Sequence, residues 1–310
     1  MGAGKGYGKT ILFGEHFVVY GLPSIASALG TYTIANVQVV NGSGWTVNDQ
    51  RPATPGYKER KRDEAMQSIT NIMDHLNVDV KNQRIDITFT GDLVAASGVG
   101  ASAAQCTSLA RALSDTFNLN LNDEKINEAA YEGEKAYHGT PSGIDNTAAT
   151  YGGLIWFRRL GVEKTAINRL QSPTKMLIVL VNSGITSSTT EVVADVRQLR
   201  EEHPKEMDKI FGEYEKLAEA ARKALLQGDI ATIGDLMNQN HRLLQQITVS
   251  SKINDALVET ALENGAIGAK LTGTGRGGLV ICLAANEVVR EEIVGAVEEK
   301  GYRAWKTTIG

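Results

Sequence analysis

Four short stretches gather residue types that handle phosphate, protons and divalent cations. The first is the run AASGVGASAAQC at 95–106. Gly98 and Gly100 permit tight turns on either side of Val99, and Ala101, Ser102, Ala103 and Ala104 then open a helix. A glycine turn feeding a helix presents free N–H groups and the positive end of the helix dipole, which suits phosphate oxygens. The Ser102 hydroxyl is a hard oxygen donor of the kind Mg2+ takes. No lysine follows the glycines and the pattern is not GxGxxG, so neither common phosphate fingerprint applies. Alone, the run reads equally as a small-residue helix start packed on a sheet. The second stretch, GEKAYHGTPSGIDN (133–146), places Asp145 just after a glycine- and proline-rich turn, where a carboxylate can accept a hydroxyl proton. Glu134, upstream on a helix, offers a second carboxylate for Mg2+; the competing reading is that Asp145 and Asn146 cap the next helix. The third, GKTILFGEHFVVYG (8–21), sets Lys9, Glu15 and His16 in apolar surroundings. Buried charge is costly unless paired, so these groups line a site, with a satisfied core histidine as the alternative for His16. The fourth, LTGTGRGG (271–278), is a glycine-rich turn between a helix and a strand.

These residues need elements to hold them. TILFGEHFVVYG (10–21), TIANVQVV (33–40) and IDITFTG (85–91) read as strands, the last with Ile85, Ile87 and Phe89 on one face. Met66, Ile69, Ile72, Met73 and Leu76 recur at helical spacing over 59–76, and KERKR (58–62) at its start reads as a solvated helix end. Helices are expected from Ala103 to Phe117 and over 122–139, the latter with Asn122 as N-cap and Gly139 as stop. GGLIWF (152–157) and KMLIVLVN (175–182) read as strands; apolar stripes over 207–227 and 229–247 read as core-facing helices. The chain closes on a glycine turn, a helix at 286–300 and a last strand. Mixed rather than alternating elements indicate an α+β fold, with a domain boundary at 172/173, just before the 175–182 strand.

Composition narrows the function. With 32 Lys+Arg against 36 Asp+Glu, the formal net charge is −4, which gives no footing for nucleic-acid or membrane-surface binding. Two distant cysteines, Cys106 and Cys282, fit a reducing compartment and buried thiols, with no disulfide or zinc framework. No run approaches the ~18 apolar residues of a membrane span. A cytoplasmic location is expected.

In order and spacing, GKTILFGEHFVVYGLPSIA, SGVGASAA, GTPSGIDN and KLTGTGRGGLVI resemble the GHMP small-molecule kinases, the superfamily of galactokinase, homoserine kinase, mevalonate kinase and phosphomevalonate kinase. The form GEHFVVYGLPSIA and the stretch HGTPSGIDN are nearest to the mevalonate-phosphorylating branch. The resemblance spans almost the whole chain. It implies a two-domain GHMP kinase fold with the active site in the cleft between domains, and ATP-dependent conversion of mevalonate to 5-phosphomevalonate in isoprenoid-precursor synthesis. It further implies that residues 98–104 wrap the ATP phosphates, that Ser102 and Glu134 hold Mg2+, and that Asp145 takes the hydroxyl proton beside Lys9. Glu15, His16, Thr189 and Gly273 would face the substrate, with Gly275 and Gly277 shaping the wall behind it. Family members are often dimers, so a homodimer is an implied partner. Three departures stand out: Tyr7-Gly8-Lys9 for Pro-Gly-Lys, Ala101 for one of two serines, and Arg276 interrupting a glycine run, where it is expected to point to solvent. Two alternatives stay open: a kinase for phosphomevalonate or another hydroxyl of mevalonate, and a non-catalytic ligand sensor.

Overall fold

In a computed structural model that describes residues 1–94, 98–161 and 165–310, the chain runs β1 (Gly2–Phe13), a 3-10 turn at Phe17–Tyr20, β2 (Ser24–Val40), β3 (Gly44–Asp49), α1 (Tyr57–Arg60), α2 (Arg62–His75) and β4 (Arg84–Gly91). It continues through α3 (Ala101–Thr116), α4 (Asp123–His138), α5 (Ile144–Tyr151), β5 (Leu154–Arg159), β6 (Thr165–Leu170) and β7 (Met176–Asn182). It ends with α6 (Thr189–Glu202), α7 (Pro204–Gln227), α8 (Ile230–Gln246), α9 (Lys252–Glu263), β8 (Gly268–Thr272), β9 (Leu279–Ala284), α10 (Glu287–Glu299) and β10 (Arg303–Ile309). Strands and helices are mixed without regular alternation, the α+β class expected from the sequence. Ala95, Ala96 and Ser97, at the head of the glycine run, lie outside the described residues. Two compact units form: Met1–Lys9 with Ala28–Gly152, and Thr10–Ser27 with Gly153–Gly310. This is a different division from a single cut at 172/173, because 10–27, β5 and β6 pack with the second unit.

The first unit rests on one ladder and three helices. The 33–40 part of β2 pairs antiparallel with β4, placing Val37 opposite Ile87 and Ala35 opposite Phe89; β3 runs parallel to β4. Ile85, Ile87 and Phe89 all bury, as their alternation requires, against Ile69, Ile72, Leu109, Leu113 and Ile126 of α2, α3 and α4. Asn122 caps α4 by accepting the Lys125 N–H, and Gly139 ends it, both as read from sequence. The start of β1 went unread. Its inward positions are Gly2, Gly4 and Gly6, and a Cβ at each would meet Thr116 Oγ1 at 2.5 Å, the Ser108 carbonyl at 2.2 Å and the Ala104 carbonyl at 2.1 Å. Only bare glycine lets this strand lie directly on the α3 backbone.

In the second unit, β10, β7, β9 and β8 form an antiparallel sheet in that order. Val179, Val181, Val280 and Cys282 on its face pack on Leu257 and Ala261 of α9 and on Ile293 and Val297 of α10. The 10–21 segment departs from the expected strand. β1 stops at Phe13 because Gly14 turns at φ 116° and His16 at φ 61°, and residues 17–20 form a 3-10 turn. That turn buries Phe17 flat on the Tyr214 ring, centroids 3.9 Å apart, while Val19 stays exposed. The apolar run therefore reads as a strand by composition but docks by one face only.

Candidate active site

In the first unit, the described part of the glycine run leads straight into α3. Gly100 is its N-cap at φ 73°, and a Cβ there would meet Lys9 Cγ at 2.6 Å, so the lysine stem passes over the turn. The Lys9 N–H donates to the Val99 carbonyl at 2.8 Å, which ties the strand to the turn. At its far end Lys9 Nζ pairs with Asp145 Oδ1 at 2.9 Å; the lysine is nearly buried and the aspartate side chain keeps 30% exposure. A cation thus sits between a helix N-terminus and a partly open carboxylate, an arrangement suited to both phosphate charge and a nearby hydroxyl. Asp145 occupies the first turn of α5 without capping it, which removes the capping alternative.

Glu134 lies behind this pair, with 1% exposure. Burial, reinforced by the Asp145 charge, raises its pKa from 4.5 to about 8, against the opposing hydrogen bond from Ser102 and the charge of Lys9. Ser102 and Glu134, paired by sequence for a metal, therefore do meet. Among the described residues no group of three or more His, Cys, Asp or Glu converges as a metal site. Mg2+ needs no such cage: it takes one or two protein oxygens and completes its shell with phosphate and water. A hydroxyl beside a buried carboxyl whose ionised form is only partly compensated is a donor set that fits it. His138 stands 3.8 Å from Glu134, and burial lowers its pKa so that it is neutral near pH 7.

Sequence reasoning missed the brace on this turn. Arg51, 5% exposed, holds Asp49 through Nε at 2.9 Å and Nη2 at 2.8 Å. It also donates to the Ala101 carbonyl at 3.2 Å and to Gln105 Oε1. Burial works against the Asp49 charge, but the Arg51 hydrogen bonds and charge, with Lys58, outweigh it and hold the carboxyl below its usual value. Lys58, read as part of a solvated cluster, instead donates to the Asp49 and Arg51 carbonyls at 2.7 and 2.6 Å. A lone arginine between Gln50 and Pro52 carries no local signal of this role.

In the second unit, Glu15 and His16 are buried as their setting required. The partner of Glu15 is Lys270, wholly buried, which also donates to the Leu271 carbonyl at 2.6 Å. Behind Lys270, the Leu271 N–H donates to His241 Nδ1 at 3.3 Å, and His241 Nε2 faces Asp255 Oδ1 at 3.1 Å. Burial pushes the His241 pKa down to about 4 despite that carboxylate, so the ring is neutral at pH 7. Glu15 Oε2 and His16 Nδ1 are buried with no hydrogen-bond partner among the described residues, two polar atoms left for a ligand. His16 Nε2 meets the Thr274 carbonyl at 2.7 Å, and Thr189 Oγ1 meets Thr274 Oγ1 at 2.7 Å. Thr274, not singled out in the sequence, joins two residues that were. Gly273 beside it turns at φ 87° with open space where a Cβ would stand. Arg276 does not point freely to solvent: its guanidinium pairs with Asp195 and its Nε donates to the Thr248 carbonyl at 3.0 Å.

Comparison with known proteins identifies the family. The GHMP kinase N-terminal domain profile matches residues 64–153, and the GHMP kinase C-terminal profile matches 221–303. The mevalonate kinases of Pyrococcus horikoshii and Thermococcus sibiricus are 32% and 31% identical, each over 94% of this chain and 91% of the relative. The chain belongs to the mevalonate kinases of the GHMP kinase family. A crystal structure of the L. major mevalonate kinase in complex with R-mevalonate superposes with a TM-score of 0.94 and 42% identity, covering 100% of this chain and 96% of that one. The fold is accordingly the two-domain GHMP kinase fold, and the protein is a kinase that transfers phosphate to an alcohol.

Proposed function

We propose that the chain phosphorylates mevalonate with ATP to give 5-phosphomevalonate, supplying isoprenoid synthesis in the cytoplasm, as a homodimer. The observation that carries the chemistry is the Lys9–Asp145 pair, 2.9 Å apart, with the Lys9 stem laid over the Gly100 turn of α3. Residues 98–104 hold the ATP phosphates through the N–H groups at the start of α3. Asp145 orients the 5-hydroxyl and takes its proton as the oxygen bonds to the γ-phosphorus and the bond to ADP breaks. Lys9, paired with Asp145, orients that carboxylate and offsets charge on the transferring phosphoryl. Ser102 and Glu134 would hold Mg2+, which would supply positive charge to neutralise the phosphate oxygens. Glu15, His16, Thr189 and Gly273 position mevalonate, with the unpartnered Glu15 Oε2 and His16 Nδ1 as its polar contacts. In this reading residues 1–172 carry the phosphate loop and catalytic pair, and 173–310 complete the substrate side.

The test is ADP release with mevalonate, phosphomevalonate, homoserine and galactose offered separately. Mevalonate should be turned over far faster than the others, and Asp145→Asn should lower kcat by about two to four orders of magnitude. Equal rates on all four substrates would overturn the substrate, and a normal kcat for Asp145→Asn would overturn the role of Asp145.

A further inference from the structure

Arg276 interrupts the glycine turn at 273–278 and holds φ 50°, a left-handed conformation that side-chain-bearing residues rarely keep without compensation. Its compensation comes from two other segments. The Arg276 N–H donates to the Val249 carbonyl at 2.8 Å. From the guanidinium, Nε donates to the Thr248 carbonyl at 3.0 Å and Nη2 to Thr248 Oγ1 at 3.2 Å, while Nη1 pairs with Asp195 on α6. A half-exposed ion pair alone contributes little, but a guanidinium fork bonded to two segments at once fixes their geometry.

What these segments carry gives the fork its consequence. Two residues before Arg276, Thr274 meets His16 at its carbonyl and Thr189 at its hydroxyl, each at 2.7 Å. Ser187 donates to the Gly275 carbonyl between them. Thr189 opens α6, and Asp195 lies further along the same helix. The Arg276–Asp195 pair therefore joins the two elements whose threonines touch. The Arg276 charge also bears on His16, adding to the burial that lowers the imidazole pKa against the Thr274 hydrogen bond.

We infer that Arg276 is a positioning residue for the alcohol substrate, a latch to α6 and the 248–249 turn that holds Thr274 in register with His16 and Thr189. The inference rests on the reading that His16 and Thr189 face that substrate. Arg276→Gly is a clean probe, since glycine takes this backbone conformation without strain. We expect Arg276→Gly to raise KM for mevalonate roughly tenfold while KM for ATP and kcat stay within about twofold. Asp195→Asn should act in the same direction, and the double variant should be no worse than Arg276→Gly alone, because the Asp195 connection is already broken there. Arg276→Lys should recover only part, lacking the fork. Unchanged mevalonate KM in both single variants, or a parallel rise in both KM values, would overturn the latch. Hydrogen exchange over 187–190 and 273–275 reads the latch without turnover: it should quicken in Arg276→Gly, and unchanged exchange would overturn the inference. If the native protein failed to use mevalonate, the substrate reading would fall while the exchange result still decided the latch.

Discussion

Burial and the Asp145 carboxylate hold Glu134 protonated at neutral pH, and that has a thermodynamic signature. A glutamate in the unfolded chain titrates near 4.5, whereas the folded carboxyl titrates at about 8, so the folded protein carries the extra proton between those values. Stability without ligands should therefore fall as pH rises through that window, by up to about 1.4 kcal/mol per pH unit from this group. Glu134→Gln should remove this component of the slope in denaturant melts between pH 5 and 9. Identical slopes in variant and native protein would show that the carboxyl is not held in this way. The same group loses its proton when it binds a cation, so affinity for Mg2+ with ATP should rise with pH over the same range. Lys9, Ser102, Glu134 and Asp145 could be singled out from short motifs, each with a structural alternative, and the structure brings them together in the first unit. Lys270 and Thr274 could not, because a lysine in a strand and a threonine between glycines acquire roles only from partners far along the chain.

Helices and strands with strong periodicity could be read directly; those defined by a neighbour could not. The stripes of α7 and α8 and the alternation of β4 bury as their spacing demands. The 10–21 segment misled, because its apolar run continues past Gly14, where the backbone turns. Arg51 shows the same limit for a side chain: nothing near it in sequence reveals that it braces the first turn of α3. Its guanidinium is buried among Asp49, Gln105 and the Ala101 carbonyl, so Arg51→Met leaves the Asp49 charge short of its main partner. We expect a loss of about 3 kcal/mol in urea unfolding, with Asp49→Asn and Arg51→Met together costing less than their sum. A loss under about 0.5 kcal/mol would place Arg51 among ordinary surface residues.

At the scale of the molecule, the site residues divide by unit. Gly98 to Ala104, Glu134, Asp145 and Lys9 belong to the first, and Glu15, His16, Thr189, Gly273 and Thr274 to the second. In hydrogen exchange, Mg2+ with a non-hydrolysable ATP analogue should protect 98–104 most, and mevalonate should protect 15–16, 189 and 273–275 most. The reverse assignment would exchange the roles of the two sets. Chain order hides this division, since β1 and β2 each begin in one unit and end in the other. Among the described residues no helix is long and apolar enough to cross a membrane.

The glycine row of β1 has one more consequence. Side chains usually cushion a strand against a helix, and rotamer changes can absorb a shift of either. At Gly2, Gly4 and Gly6 no such cushion exists, and backbone meets backbone along α3. Lys9 lies at the end of that row, and its own N–H is bonded to Val99. A displacement of α3 is thus passed to the lysine as in a gear without play. The cation and the turn it serves stay aligned because nothing compressible stands between them.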